Sequence, residues 1–172
     1  MFGSQIKVES KPNKGTTFYF DLKMLQVEQQ AKDIPSNNQL TNKADLSSLR
    51  ILLAEDNMMN IYFMKQLFKR WDIIADVAEN GAEVLELLGA NTYDLVLMDM
   101  HMPVMDGMQT TEKIRQLNDK AKANIYIIAL TASVSDQIQN RVIACGMNDY
   151  LHKPFQLDEL RIKLEERLQA AQ

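Results

Sequence analysis

Five side chains of this sequence stand just after four short stretches, the first three of them apolar. Glu55 and Asp56 follow residues 51–54, Asp99 follows 95–98, Thr131 follows 125–130, and Lys153 follows 149–152. Taken singly, an Asp or Glu in such a place reads as a turn or cap residue. Three carboxylates brought a few ångströms apart repel one another, and some would protonate unless a cation balances them. Hard oxygen donors with room for water suit Mg²⁺. A lysine and a hydroxyl beside that cation are partners for an anion, and a phosphoryl group is the anion that fits the set.

Those five residues meet only if the chain folds as alternating strands and helices. Residues 51–54, 73–78, 94–98, 125–130 and 149–152 read as strands; the first is an apolar run bounded by charges, as in a strand buried on both faces. Between and after them, helices are expected over 58–71, 82–88, 108–117, within 134–145, and over 157–169. Ile61, Met64, Leu67, Phe68 and Trp71 form the apolar stripe of the first helix. Five such units predict an α/β fold, a doubly wound parallel sheet with helices on both faces. In open parallel sheets the binding crevice lies outside the carboxyl ends of the strands, where the five polar residues fall.

At this point the sequence resembles response-regulator receiver domains. Ile51-Leu-Leu-Ala-Glu-Asp-Asn57 is similar to their acidic-pair strand, and Asp94-Leu-Val-Leu-Met-Asp-Met-His-Met-Pro-Val-Met-Asp-Gly107 to their phosphoacceptor segment. Ile127-Ile-Ala-Leu-Thr-Ala132 and Tyr150-Leu-His-Lys-Pro-Phe155 complete the set in family order. The resemblance implies a flavodoxin-like sheet of order 2-1-3-4-5. It also implies Asp99 as phosphoacceptor, Mg²⁺ as cofactor held by Asp56, Asp99, Glu55 through water, and the His101 backbone carbonyl, and Thr131 and Lys153 on the phosphoryl oxygens. Tyr150 would be the aromatic whose rotamer follows Thr131, and Pro154 a cis-proline turning Lys153 toward the site. Asp72 stands where the family commonly has Gly at a helix end, a place that Asp tolerates. Gln109 replaces a frequent Glu, and His101 and Ser133 occupy variable positions that tune acyl-phosphate hydrolysis.

Residues 1–24 read as a hairpin of strands 5–10 and 16–22, with turn chemistry in Lys11-Pro-Asn-Lys-Gly15. A lone hairpin is marginal in water and needs something to pack on. Met1 to Ser10 followed by Lys14-Gly-Thr-Thr-Phe-Tyr-Phe20 resembles the final hairpin of histidine-kinase ATPase domains, without the asparagine box and first glycine box that bind ATP. Residues 25–48, polar and with Pro35, read as a linker containing a short helix over 25–32. Residues 49–172 are then the receiver, carried by a hybrid histidine kinase. Neither His101 nor His152 resembles a phosphoacceptor, so the implied partner is a histidine-bearing phosphodonor or phosphotransfer domain. Met58, Met59 and Tyr62 on the first helix, with Pro154 and Phe155, are the expected docking surface, although scattered surface apolar residues would look the same.

Composition sets the outer bounds. The chain is 46% hydrophobic and 24% charged with net charge −4, so no basic surface points to nucleic acid. One cysteine, Cys145, excludes an internal disulfide and fits a reducing compartment, and as a small apolar helix residue it needs no further role. Without a long apolar run, the segment is expected to be soluble and cytoplasmic. The rival readings are a stand-alone response regulator acting as a binding switch, a degenerate scaffold, and a haloacid-dehalogenase-like phosphatase. The last needs a second Asp two residues after the nucleophile, where this chain has His101.

Overall fold

Every side chain from Ile51 to Ala54 and from Leu95 to Met98 is fully shielded from solvent in the computed structural model. Such runs require cover on both faces of a sheet, and the chain supplies it. The structure describes residues 6–12, 14–19, 44–132 and 136–170. It divides into two units, Met1–Asn42 and Lys43–Gln172.

In the first unit, β1 (Lys7–Lys11) pairs antiparallel with β2 (Gly15–Tyr19), placing Val8 opposite Phe18. Gly15 takes φ +94°, as the turn needs. Ser10 and Thr16 share a hydroxyl hydrogen bond of 2.8 Å, and Tyr19 donates to Glu9 at 3.0 Å. Ile6, Val8 and Phe18 are exposed. The expected extension of the second strand to residue 22, and the helix over 25–32, lie outside the described residues.

In the second unit the order is β3 (Arg50–Ala54), α1 (Met58–Arg70), β4 (Ile74–Ala78), α2 (Gly81–Ala90), β5 (Leu95–Asp99) and α3 (Gly107–Arg115). Then follow α4 (Lys120–Ala123), β6 (Tyr126–Thr131), α5 (Asp136–Ala144), β7 (Asp149–His152) and α6 (Leu157–Ala170). The parallel sheet runs β4-β3-β5-β6-β7, the flavodoxin-like order 2-1-3-4-5 that the resemblance implies. Residues alternate between the two faces of each strand. Ile51 and Leu53 pack with Met64, Leu67 and Phe68 of α1 and Leu160 and Leu164 of α6. Leu52 and Ala54 face Val84 and Leu88 of α2, Ile114 of α3 and Val142 of α5.

Local chemistry sets the ends of α1. Asn57 caps it, its side chain accepting from Met59 N and Asn60 N. At the other end Trp71 is the C-cap and Asp72 adopts φ +55°. Asp72 N bonds Lys69 O and Ile73 N bonds Phe68 O, the paired closure of a left-handed helix stop. Asp therefore does here what Gly more often does. Two features differ from the sequence expectation. The four-residue α4, capped by Asp119, is too short to show a periodicity. Leu46 and Leu49 are buried in the α1–α6 core layer, and Ala44 O accepts from Arg161 at 2.9 Å. Core packing thus begins at Leu46, inside the stretch whose polar composition reads as linker. Among the described residues no helix is long and apolar enough to cross a membrane.

Candidate functional site

The carboxyl ends of β3, β5, β6 and β7 bring the expected residues to one edge. Glu55 follows β3 directly, and its backbone N–H donates to Ala78 O at 3.0 Å, which ties the strand end to β4. Asp99 is the last residue of β5, in register with Leu130, so Thr131 lies one step further along the neighbouring strand. Lys153 follows β7, and its N–H donates to Thr131 O at 2.6 Å. The Lys153–Pro154 peptide is cis, as the resemblance implies.

Glu55, Asp56 and Asp99 each offer a carboxylate oxygen within 4.8 Å of the others. Glu55 and Asp99 are buried, at 2% and 8% exposure, while Asp56 opens to solvent. Lys153 Nζ donates to Glu55 Oε2 at 2.5 Å and to Asp99 Oδ2 at 2.8 Å. Burial works against the charged ammonium. Hydrogen bonds to Asp99 and Glu55, together with their charges, outweigh it and raise the lysine pKa above its ordinary value. The backbone N–H of His101, an exposed residue, donates to Asp99 Oδ1 at 3.2 Å. Thr131 is buried at the edge of the site. Tyr150 is half-buried against the α2–α3–α5 core layer, in register with Ala129. Ser133 lies outside the described residues.

The loop after Asp99 is held tightly. Gly107 N donates to Met100 O at 3.2 Å, and Gly81 N to Met105 O at 3.2 Å. A Cβ on Gly107 would run into the Asp99 carbonyl oxygen and the Met98 side chain. This glycine supplies room, since α3 starts directly against the residue that carries the site's central carboxylate.

One residue escaped the sequence reading. Asn60, on the first turn of α1, donates its amide to Glu55 Oε1 at 2.9 Å. An amide five residues past the acidic pair, one turn inside a helix, is the signal that could have found it. Phe63, which the sequence places at the margin of the α1 stripe, lines with Asn60, Pro154 and Phe155 a cavity of about 460 Å³ that opens beside Glu55 and Lys153. Met58, Met59 and Tyr62 are exposed on α1, and Pro154 is exposed with Phe155 half-buried. Cys145 directly follows α5; burial pushes its thiol pKa up, and its Sγ bonds Val142 O at 3.1 Å. Such a thiol is poorly ionised and plays no part in the site.

Three carboxylates with hard oxygen donors fit a small divalent cation that keeps part of its water, and one ammonium fits an anion brought against it. Residues 51–165 match the family model described as the response regulator receiver domain. The hybrid signal transduction histidine kinase K of Dictyostelium discoideum is 34% identical over 167 residues, covering 94% of this chain. The chain spans 14% of that relative's length. The receiver domain of a Pseudomonas aeruginosa PAO1 sensor histidine kinase, solved with magnesium coordinated in its active site cleft, superposes with TM-score 0.63. It is 32% identical and is matched over 69% of this chain and 95% of its own. The receiver domain of the Saccharomyces cerevisiae response regulator Ssk1, solved with the histidine phosphotransfer protein Ypd1, comes from a structure matching with TM-score 0.65 and 29% identity. That match covers 69% of this chain and 87% of the other.

Proposed function

We propose that this chain, which belongs to the response regulator receiver domain family, accepts a phosphoryl group on Asp99 from a phosphohistidine and passes it to a histidine phosphotransfer partner. The observation that carries the reading is the pairing of Asp99, buried at the end of β5, with two further carboxylates and the Lys153 ammonium. In the transfer an Asp99 oxygen attacks phosphorus in line, the N–P bond of the donor breaks toward its imidazole nitrogen, and an acyl phosphate forms. Catalysis is then largely positioning and electrostatic stabilisation.

Asp56, Asp99 and Glu55, with the His101 carbonyl, are the groups that would hold Mg²⁺; the bound cation supplies charge that offsets repulsion between Asp99 and the incoming oxygens. Lys153, already hydrogen-bonded to Asp99, takes the phosphoryl oxygens that replace that contact. The Thr131 hydroxyl closes on the same group, and Tyr150 follows it as the switch aromatic. The magnesium-bound receiver of Pseudomonas and the yeast receiver seen with its phosphotransfer protein support the cofactor and the partner. Docking falls on Met58, Met59 and Tyr62 with Pro154 and Phe155.

The parent reading is a hybrid histidine kinase. Its support is the kinase relative, aligned over 94% of this chain, and the β1–β2 hairpin, whose exposed Val8 and Phe18 suit the edge of a larger ATPase domain. The polar stretch of 25–48 then serves as linker up to the core packing that begins at Leu46, 49–172 as receiver, and the segment works in the cytoplasm. The test is labelling by acetyl phosphate with Mg²⁺, read by intact mass. The wild-type chain should gain one phosphoryl group and Asp99→Asn none; equal labelling of the two overturns the assignment.

A further inference from the structure

Glu55 is 2% exposed, yet neither of its oxygens is left to chance. Oε2 takes the Lys153 ammonium. Oε1 takes the Asn60 side-chain amide at 2.9 Å and, at a longer 3.3 Å, the Asn57 backbone N–H. Asn57 in turn caps α1 by accepting from Met59 N and Asn60 N, so the cap fixes the turn that carries Asn60. We propose that Asn60 is a positioning residue of the metal site, its carboxamide locking Glu55 so that Oε2 faces Asp99 and Lys153. The inference rests on the receiver reading above, in which Glu55 serves the cation.

The physical argument is one of orientation. A buried carboxylate can rotate its two oxygens between partners, and a neutral donor on one of them selects a single presentation without adding charge. An amide suits this place where an ammonium would not, since a second cation beside Lys153 would compete with the metal. Partners that orient a metal's ligands typically contribute about 10- to 100-fold to affinity. Glu55 acts through water in the proposed site, so the lower end of that range applies. Asn60 also lines the cavity shared with Phe63, Pro154 and Phe155. A partner seated against that wall would touch the group that orients Glu55.

The experiment is Mg²⁺ binding to the full chain by isothermal titration calorimetry, for wild type, Asn60→Ala and Asn60→Gln, well below each melting temperature. Asn60→Ala should bind roughly 10-fold more weakly. Asn60→Gln, which keeps the donor on a longer arm, should recover part of the loss. Wild-type affinity in Asn60→Ala overturns the inference and leaves the receiver reading standing. Equal weakening in both variants also overturns it, since the amide donor would then not be the cause. A wild-type chain that binds no Mg²⁺ and takes no label from acetyl phosphate overturns the receiver reading, and the inference with it.

Discussion

Lys153 Nζ lies 2.8 Å from Asp99 Oδ2, and the same ammonium reaches Glu55 on the opposite side. One cation thus serves two carboxylates that come from strands 44 residues apart in the chain, with Lys153 itself contributed by the loop after a third strand. Removing one partner of a buried charged set leaves the others uncompensated. Lys153→Ala should therefore destabilise the chain in chelator, at or below the low end of about 3–5 kcal/mol because the lysine is partly exposed. The three-carboxylate site then gains more from a divalent cation than it does in wild type. Thermal unfolding with and without Mg²⁺ checks this: the Mg²⁺-induced rise in Tm should be larger in the variant, and equal rises would show that the ammonium is not compensating these carboxylates.

Tyr62 projects from α1 at 62% exposure, on the helix that also carries the cavity wall residue Phe63. On the docking surface proposed above, a charge there would disturb the partner, while the hydrogen bonds that hold Asp99 come from His101 and Lys153. Tyr62→Glu should slow phosphoryl transfer from a phosphohistidine domain by about tenfold or more, the effect of roughly 1.4 kcal/mol lost at an interface. Labelling by acetyl phosphate should stay at the wild-type rate. Equal slowing with both donors would place Tyr62 in the site rather than on a docking surface.

Much of this was legible in the sequence because the site is local to strand ends. Each chemical residue directly follows or ends a stretch that reads as a strand, apolar in three cases and mixed in residues 149–152, so a correct strand reading places Glu55, Asp56, Asp99, Thr131 and Lys153 on one edge. The stripe Ile61, Met64, Leu67 and Phe68 is buried as its spacing demands. The misses have physical causes. Asn60 looks like any polar residue on a helix's first turn, and its role appears only when α1 folds back over β3. Leu46 is one of a few scattered apolar residues in a polar stretch, and only α1 and α6 together make the place it fills. The exchange of hydrogen bonds around Glu55 depends on side-chain geometry, which periodicity does not encode.

Tyr93 carries a pH signature far from the site. Its hydroxyl donates to Asp76 Oδ2 at 2.7 Å, and burial, followed by that bond and the Asp76 charge, pushes its pKa up to about 12. The folded value lies above the unfolded value of about 10. The contribution to stability is therefore complete below pH 10 and is lost as pH rises from about 10 through 12. Phenolate absorbance, taken as the difference between wild type and Tyr93→Phe, should show one tyrosine ionising near pH 12. Asp76→Asn should lower that midpoint without restoring the ordinary value, because the burial remains. A difference curve centred near pH 10 in the folded chain would contradict the Tyr93–Asp76 bond.

Gly107 is constrained by space rather than by backbone angle. It opens α3 against the end of β5, and a Cβ there would strike the carbonyl oxygen of Asp99 and the side chain of Met98. Neither neighbour can yield freely: one is backbone of the central strand, and the other is fully buried in the α2–α3–α5 layer. Gly107→Ala must therefore push α3 away or tilt the Asp99 peptide. Overpacking of this kind costs about 1–3 kcal/mol, and the displacement falls on the residue that carries the site's central carboxylate. Gly89 provides the contrast, since its Cβ would meet nothing within 4 Å and it lies inside α2. Gly89→Ala should stabilise by about 0.5–1 kcal/mol from helix propensity alone. Urea unfolding should move in opposite directions for the two variants, and the rate of labelling by acetyl phosphate should fall only for Gly107→Ala. A Gly107→Ala chain with wild-type stability and labelling would mean that the start of α3 does not set the position of Asp99.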